Sequence, residues 1–180
     1  MATVRTTKQK GQIDLSFIVL AVLVIGALVW ATHARNEVWT DDIRLWMNTV
    51  KKSPNKPRPY NNVGTALMKM KLYDDAVPWI VTAVSKIKGE SKDQGSGEAL
   101  NNLAILCARV GKYDEAIIHL RKARNIYPYS PEIRNNLGIY YEAIGRREEA
   151  IKELKEAIRI NPYFELAKIN LKRVEKTPAK

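Results

Sequence analysis

The feature of this sequence that most restricts its fold is a repeat with a period of 34 residues. Leu103-Ala104 aligns with Leu137-Gly138, and many further positions carry the same residue in both copies. The identical pairs include Gly111 and Gly145, Ala116 and Ala150, Leu120 and Leu154, Ala123 and Ala157, and Pro128 and Pro162. A fixed period of this length predicts a solenoid, in which each unit packs mainly on its neighbours along the chain.

Each copy is predicted to form two antiparallel helices. Small residues recur at the eighth and twentieth positions, where paired helices approach closely. They are Gly64, Ala104 and Gly138 at the eighth position and Ala76, Ala116 and Ala150 at the twentieth. Gly111 and Gly145 fit the left-handed turn that ends a first helix. An acidic pair then begins each second helix, where carboxylates stabilise the helix dipole.

The earliest copy departs from this pattern. Its Val63-Gly64 lies 40 residues before Leu103-Ala104, so six additional residues separate the first two copies. The polar stretch 88–96, KGESKDQGS, accounts for them and is predicted to be a flexible surface insertion, with a contact loop as the alternative. Lys71 stands where the other copies have a turn glycine.

The best-preserved copy resembles the tetratricopeptide repeat family. Its matching residues are Leu137-Gly138, Tyr141, Gly145, Ala150, Leu154, Ala157 and Pro162, with Arg134 in place of the usual tryptophan. The resemblance implies an all-α fold, a right-handed superhelix of antiparallel helix pairs whose first helices line a concave groove. Residues 40–54 resemble an unpaired second helix, and residues 165–176 resemble the polar capping helix that closes a solenoid.

An uncharged segment of 20 residues, 15–34, lies between Asp14 and Arg35. At about 1.5 Å per residue it is long enough to cross the hydrocarbon core of a bilayer. We predict an uncleaved transmembrane anchor. A cleaved signal peptide is the alternative, because Thr32-His33-Ala34 resembles a cleavage site, although the apolar core of a signal peptide is usually shorter.

Basic residues on the two sides of this segment predict its orientation. Arg5, Lys8 and Lys10 precede it, whereas only Arg35 and Arg44 follow within about fifteen residues. The positive-inside rule therefore favours a cytoplasmic N-terminus, with the repeats on the periplasmic side of a bacterial inner membrane.

These patterns divide the chain into eight predicted segments. They are a basic tail (1–14), a transmembrane helix (15–34), a junction with an unpaired helix (35–56), a first repeat (57–90), an insertion loop (91–96), a second repeat (97–130), a third repeat (131–164), and a capping helix with a tail (165–180).

The membrane junction carries a second, narrower resemblance. Its residues are similar to the junction in multi-spanning transmembrane O-mannosyltransferases that end in tetratricopeptide repeats. They are Arg35-Asn36, Trp39, Asp41, Leu45 and Pro54-Asn55. Because one span cannot house a lipid-sugar transferase site, the resemblance implies kinship or a shared assembly and not catalysis.

The sequence holds no recognisable catalytic or cofactor motif. Phosphate-loop, dinucleotide-binding, zinc-protease and haem-attachment patterns are all absent. His33 and His119 are the two histidines, and neither has a ligand or triad partner in the sequence pattern. Cys107 falls at an inward-facing repeat position, which indicates a buried, inert thiol. We therefore predict a non-enzymatic protein with no cofactor, no metal site and no small-molecule substrate.

The resemblance implies that the second, fifth, sixth, ninth and neighbouring positions of the first helices face a ligand. Asparagine fills the sixth position in all three copies and in the capping helix, and the fifth position in the three copies. Amides both donate and accept, so a row of them can bond the backbone of an extended peptide. The alternative is that they bond neighbouring helices. The predicted groove residues are Arg58, Asn61, Asn62, Thr65, Lys69, Asn101, Asn102, Ile105, Arg109, Asn135, Asn136, Ile139 and Asn170.

The cationic clamp with which chaperone-binding family members hold a C-terminal carboxylate is absent here. Its positions carry Asn61, Thr65, Glu132 and Asn136 in this chain. This departure argues against a co-chaperone.

The net charge of +11 is partly concentrated in residues 43–73, which contain no acidic residue. We predict a membrane-proximal basic patch of Arg44, Lys51, Lys52 and Lys56, with anionic lipid headgroups or an acidic partner as ligands. A merely solvated surface is the alternative. Nucleic acid is not an expected partner, because no recognition motif is present.

The sequence thus predicts a membrane-anchored scaffold that binds a segment of a partner protein in its groove, as an assembly or accessory subunit of a membrane or envelope complex. One alternative is an accessory or degenerate relative of a repeat-containing membrane glycosyltransferase. Another is a targeting receptor whose repeats face the cytosol.

Overall fold

The computed structural model describes residues 15–87 and 94–176, and this part of the chain contains eight α-helices and no strand. The all-α prediction is therefore confirmed. The helices are α1 (Leu15–Lys52), α2 (Pro57–Lys69), α3 (Tyr73–Ser85), α4 (Gln94–Arg109), α5 (Tyr113–Ile126), α6 (Pro131–Ala143), α7 (Arg147–Ile160) and α8 (Glu165–Lys176). The chain divides after Val38 into two units.

The first unit contains the apolar part of α1. Residues Ser16–His33 have a mean hydropathy of 2.2, and none of them is buried. In the described part of the chain this is the one helix long and apolar enough to cross a membrane, and a signal sequence near an N-terminus has the same properties. The predicted basic tail, 1–14, lies outside the described residues.

The second unit contains three antiparallel helix pairs, α2 with α3, α4 with α5, and α6 with α7. In each pair a small residue of the first helix lies opposite a large residue of the second. A Cβ atom added to Gly138 would lie 2.5 Å from Cγ of Leu154, and one added to Gly64 would collide with Ile80. Ile80, Leu120 and Leu154, at equivalent positions of α3, α5 and α7, are fully buried. Each such side chain contributes about 1.5–3 kcal/mol of hydrophobic stabilisation.

The last helix in the described part of the chain, α8, packs against α7 and α6. Ala167 and Val174 are buried on its inner face. The side chain of Arg147 in α7 donates to the carbonyl oxygens of Val174 (3.1 Å) and Glu175 (2.8 Å). These bonds satisfy carbonyl groups that have no partner within the last turn of a helix.

The turn between the helices of a pair has the same conformation in all three copies. Gly111 and Gly145 both have φ of +78°, and Lys71, which replaces the glycine in the first copy, has φ of +65°. The left-handed turn is therefore kept at Lys71 even though a side chain makes it less favourable there.

Two elements begin or end differently from the sequence prediction. The sequence predicts an insertion loop at 91–96, but α4 begins at Gln94, so residues 94–96 are helical, and residues 91–93 lie outside the described residues. The reason is close packing: a Cβ atom at Gly95 would lie 2.6 Å from Cα of Arg58. The unpaired helix predicted at 40–54 is the end of α1, which continues to Lys52 because no proline or glycine follows Gly26 until Pro54.

Candidate functional site

The first helices of successive repeats, α2, α4, α6 and α8, are joined by hydrogen bonds between asparagine amides. In each bond, Nδ2 of the sixth-position asparagine donates to Oδ1 of the fifth-position asparagine in the preceding repeat. The bonds run from Asn102 to Asn61 (2.8 Å), from Asn136 to Asn101 (2.9 Å) and from Asn170 to Asn135 (2.8 Å). We call this row of bonds the amide ladder.

Two of the three fifth-position asparagines in the amide ladder are less exposed than the sixth-position asparagines. Asn61 and Asn135 are only 1% and 4% exposed, although the sequence predicts that they face a ligand. The bonds to Asn102 and Asn170 hold these two amides buried against the next helix. They are therefore not accessible to a ligand. Asn61 and Asn135 thus correspond to the alternative in which asparagine joins neighbouring helices, whereas the third fifth-position residue, Asn101, is half-buried.

The sixth-position asparagines are half-buried and keep bonding capacity. An amide has two donor hydrogens and an accepting oxygen, and each ladder bond uses one hydrogen of Asn102, Asn136 or Asn170. One hydrogen of Asn136 and of Asn170 and the oxygen of all three amides remain for a ligand, whereas the second hydrogen of Asn102 is bonded to Oγ1 of Thr65. Asn62, the sixth-position residue of the first repeat, accepts a long bond of 3.5 Å from Asn61.

The ninth-position residues Thr65, Ile105 and Ile139 are also half-buried on this row of helices. Oγ1 of Thr65 donates to the carbonyl oxygen of Asn61 (2.8 Å) and accepts from Nδ2 of Asn102 (3.0 Å). Thr65 therefore belongs to the amide ladder, whereas the two isoleucines place an apolar strip beside it.

The predicted cationic residues of the groove lie in different surroundings. Arg58 and Lys69 are exposed. The guanidinium carbon of Arg109 lies 3.4 Å from the centroid of the Tyr73 ring, a cation–π contact that fixes this side chain. The residues of the predicted basic patch, Arg44, Lys51, Lys52 and Lys56, are all exposed.

The end of α1 approaches the first-repeat end of the row. Trp46 is half-buried and lines two cavities, of about 400 Å³ and 200 Å³. The smaller cavity is also lined by Asn62, Thr65 and Lys69, three of the predicted groove residues. The sequence prediction missed this contact, because the repeat pattern does not indicate on which side of α2 the preceding segment packs.

A third cavity, of about 340 Å³, lies between the starts of α4 and α6. The second-position residues Glu98 and Glu132 line it together with Asn101 and Tyr127. Nδ2 of Asn61 lies 3.4 Å from Oε2 of Glu98, so this carboxylate adjoins the amide ladder. Glu98 was not among the predicted residues, although the second position of the repeat was the signal that would have identified it.

The titratable side chains of α4 and α5 do not form a reactive centre. Burial raises the pKa of the Cys107 thiol, which keeps it protonated and weakly nucleophilic. Burial also lowers the pKa of His119, whose Nδ1 atom has no hydrogen-bond partner among the described residues. In residues 15–87 and 94–176, no group of three histidine, cysteine or acidic side chains is placed to hold a metal ion.

The second unit is therefore an α-helical solenoid of paired helices whose first helices form one polar row. Two family models described as tetratricopeptide repeat match the sequence, over residues 57–129 and 108–169. The chain belongs to the tetratricopeptide repeat family. Proteins with this fold are typically non-enzymatic scaffolds for protein interactions. A search of curated protein sequences gave no match.

Solved structures share the fold at low sequence identity. Two crystal structures of MamA are 21% identical, with TM-scores of 0.64 and 0.65, and the matches cover 81% of this chain and 76% and 81% of theirs. YrrB, described as a TPR protein with an unusual peptide-binding site, is 23% identical, with a TM-score of 0.61 and coverage of 78% and 69%. The first TPR of Spaghetti (RPAP3), bound to the HSP90 peptide SRMEEVD, is 18% identical, with a TM-score of 0.60 and coverage of 67% and 91%.

Proposed function

We propose that this protein is a membrane-anchored scaffold that binds an extended segment of a partner protein along its first helices. The observation that carries the proposal is the half-exposed column of Asn102, Asn136 and Asn170. Their ladder bonds hold each amide in a fixed position. Asn136 and Asn170 each keep one donor and one acceptor for the main chain of a peptide, and Asn102, whose second hydrogen is bonded to Thr65, keeps its acceptor. Pre-positioned amides lose little conformational entropy when they bind.

The apolar strip supports the same mode of binding. Ile105 and Ile139 lie one helical turn from Asn102 and Asn136, so a peptide held by the amides would place side chains against them. Two proteins that share the fold support a peptide ligand here: YrrB has a peptide-binding site, and RPAP3 is bound to a peptide.

The apolar part of α1 supplies the proposed anchor. Its length and hydropathy suit a single span, and the basic residues before it favour an N-terminus in the cytoplasm and repeats in the periplasm. Anchoring restricts the scaffold to partners at the same membrane, which favours a role as an assembly or accessory subunit of a membrane or envelope complex. The exposed basic patch, which follows the span in the sequence, would contact anionic headgroups or an acidic partner.

Groove binding is tested by charge substitutions that leave the amide ladder intact. We expect the full chain carrying Ile105→Glu and Ile139→Glu, purified in detergent, to lose the proteins that co-purify with the unmodified chain. A matched control is Ile118→Glu, on the second helix α5, where the side chain is 54% exposed. Mass spectrometry identifies the retained proteins. Equal retention by both variants would contradict the groove as the binding surface.

The orientation is tested separately with a reporter fused after Lys180 that is active only in the periplasm. Activity is the expected result. Activity of a cytosolic reporter instead would exclude the periplasmic scaffold and favour a receptor whose repeats face the cytosol.

A further inference from the structure

The end of the first-helix row carries the densest group of exposed apolar side chains in the second unit. Tyr163, Leu166 and Ile169 fall within seven residues and are 87%, 59% and 61% exposed. Large apolar side chains exposed in a group mark a binding surface more often than isolated ones do. We call Leu166 and Ile169 the α8 apolar pair.

The repeat register places the α8 apolar pair on the same side as the amide ladder. Leu166 and Ile169 occupy the second and fifth positions, which are Glu132 and Asn135 in the preceding repeat. The bond from Asn170 to Asn135 and the burial of Ala167 and Val174 fix the rotation of α8 about its axis. The apolar pair therefore lies at the end of the row of first helices, and Ile169 occupies the position at which Asn135 of the preceding repeat packs against the next helix.

Another helical repeat is a poor occupant for this end of the solenoid. In the three repeats, the second helix packs against a small residue at the eighth position of the first helix, namely Gly64, Ala104 or Gly138. In α8 the eighth position is Lys172, and Lys168 lies four residues before it. Both lysines are exposed. A charged side chain at this position prevents the close approach of a further helix.

A second copy of the chain is also disfavoured by charge. The other exposed apolar end of the unit holds Leu45 and Met47, which are 57% and 42% exposed, beside Arg44, Lys51 and Lys52. End-to-end contact would bring these cations against Lys172 and Lys176 of α8. Like charges in contact oppose association.

The charges around the α8 apolar pair select an acidic partner. Lys172 and Lys176 are exposed on the same helix, and in residues 15–87 and 94–176 neither forms an ion pair. The other cations of α8 are engaged: Lys168 with Glu165 (2.7 Å) and Arg173 with Glu142 (2.6 Å). The two lysines are thus available to carboxylates of a ligand.

We propose that the partner segment bound by the first-helix row ends over α8 with apolar side chains on Leu166 and Ile169 and, farther along the same face of the segment, acidic side chains beside Lys172 and Lys176. Residues three apart on a helix have Cβ atoms about 5–6 Å apart. Alternate side chains of an extended peptide lie about 6.6 Å apart on one face, which matches this spacing. The inference rests on the proposed groove binding and adds the chemistry of the ligand.

The test is a selection of phage-displayed random peptides on the full chain in phosphatidylcholine nanodiscs. The expected peptides carry apolar residues at alternate positions and, adjoining them on the same face, acidic residues. We expect Leu166→Ser with Ile169→Ser to weaken the binding of these peptides by about ten-fold or more. Val77→Ser with Val81→Ser, an exposed valine pair on α3, is the matched control and should leave binding unchanged. Repeating the selection on Lys172→Glu with Lys176→Glu should replace acidic by basic residues in the selected peptides.

The outcomes separate this inference from the function on which it rests. Peptides that require Ile105 and Ile139 but are indifferent to Leu166 and Ile169 would overturn the α8 site and leave groove binding in place. Selected peptides whose charge preference is unchanged by the lysine substitutions would also overturn it. If no peptide depends on either pair, both proposals fail.

Discussion

Arg134 and Glu153 form an ion pair across the α6–α7 hairpin, with NH1 of the arginine 2.9 Å from Oε2 of the glutamate. Glu153 is 5% exposed and also pairs with Arg124 of α5. Arg134 in turn donates to the carbonyl oxygen of Pro128 through Nε (3.1 Å) and NH2 (3.0 Å). At the position where the family usually has tryptophan, Arg134 thus pairs with Glu153, and Glu153 joins two repeats through its second ion pair with Arg124.

Removing the arginine should therefore destabilise the fold. Arg134→Met leaves the buried Glu153 carboxylate with one partner, and we expect a loss of about 2–3 kcal/mol in the free energy of unfolding. Chemical denaturation followed by circular dichroism measures it. The control is Arg159→Met, because the exposed pair of Arg159 with Glu156 should contribute little. Equal effects of the two substitutions would contradict a structural role for the buried network.

The turn at Lys71 offers a stabilising substitution. Lys71 has φ of +65°, a conformation that costs an ordinary residue about 1–2 kcal/mol and glycine almost nothing. We expect Lys71→Gly to raise the free energy of unfolding by about 1 kcal/mol, after the greater freedom of glycine in the unfolded chain is allowed for.

Replacing the glycine at the equivalent turn of the next repeat is the matched counterpart of Lys71→Gly. Gly111 has the same turn conformation, and a Cβ atom there would meet nothing within 4 Å. Gly111→Ala should therefore lower stability through the backbone alone, by about 1 kcal/mol. If the two substitutions changed stability in the same direction, the left-handed turn would not be their common cause.

Much of this architecture is predictable because the residues that set it recur at a fixed spacing. Gly138 opposite Leu154 identifies where two helices approach, and Gly145 identifies the turn between them. The amide ladder was only half predictable. The sequence places Asn136 and Asn101 in two columns, but whether they bond each other depends on how far neighbouring helices are displaced, which no residue pattern specifies.

The junctions between elements were the least predictable part. Gly95 and Gly97 look like loop residues, yet they lie in α4 because only a residue without a side chain fits against Arg58 and Tyr127. Trp46 was assigned to an unpaired helix, and its approach to Asn62 and Thr65 depends on packing across the repeat boundary. These contacts join segments that differ from the repeat, so periodicity does not constrain them.

The buried face of His119 predicts a pH-dependent stability. Its pKa lies below the ordinary value of 6.5 because burial, and then the nearby Lys122, disfavour the charged ring, while Glu115 opposes them. In the unfolded chain the same histidine binds a proton near pH 6.5, so the unfolded state gains protons first as the pH falls. Stability should therefore be unaffected above about pH 7 and decrease as the pH falls below 6.5.

His119→Gln isolates this contribution. We expect the free energy of unfolding of the unmodified chain to fall relative to that of the variant between pH 7.5 and pH 5.5, as measured by urea denaturation at several pH values. A difference between the two proteins that stays constant with pH would show that His119 is protonated equally in both states.

Removing one asparagine of the amide ladder should lower stability, because the amide to which it was bonded would stay buried without that hydrogen bond. Asn102→Ala removes the bonds to Oδ1 of Asn61 (2.8 Å) and to Oγ1 of Thr65 (3.0 Å). Because Asn61 is 1% exposed, its oxygen would be left buried without this donor, and we expect a loss of about 1–3 kcal/mol. Asn125→Ala, on an exposed position of α5, should change stability far less.

Hydrogen exchange distinguishes a local from a global effect of the same substitution. If the ladder holds α4 against α2, Asn102→Ala should increase amide exchange in both helices more than in α6 and α7, since a solenoid transmits stability mainly between neighbouring repeats. Exchange that rises equally in all helices would indicate that the bond stabilises the unit as a whole. Exchange unchanged everywhere would mean that Asn102 contributes to ligand binding alone.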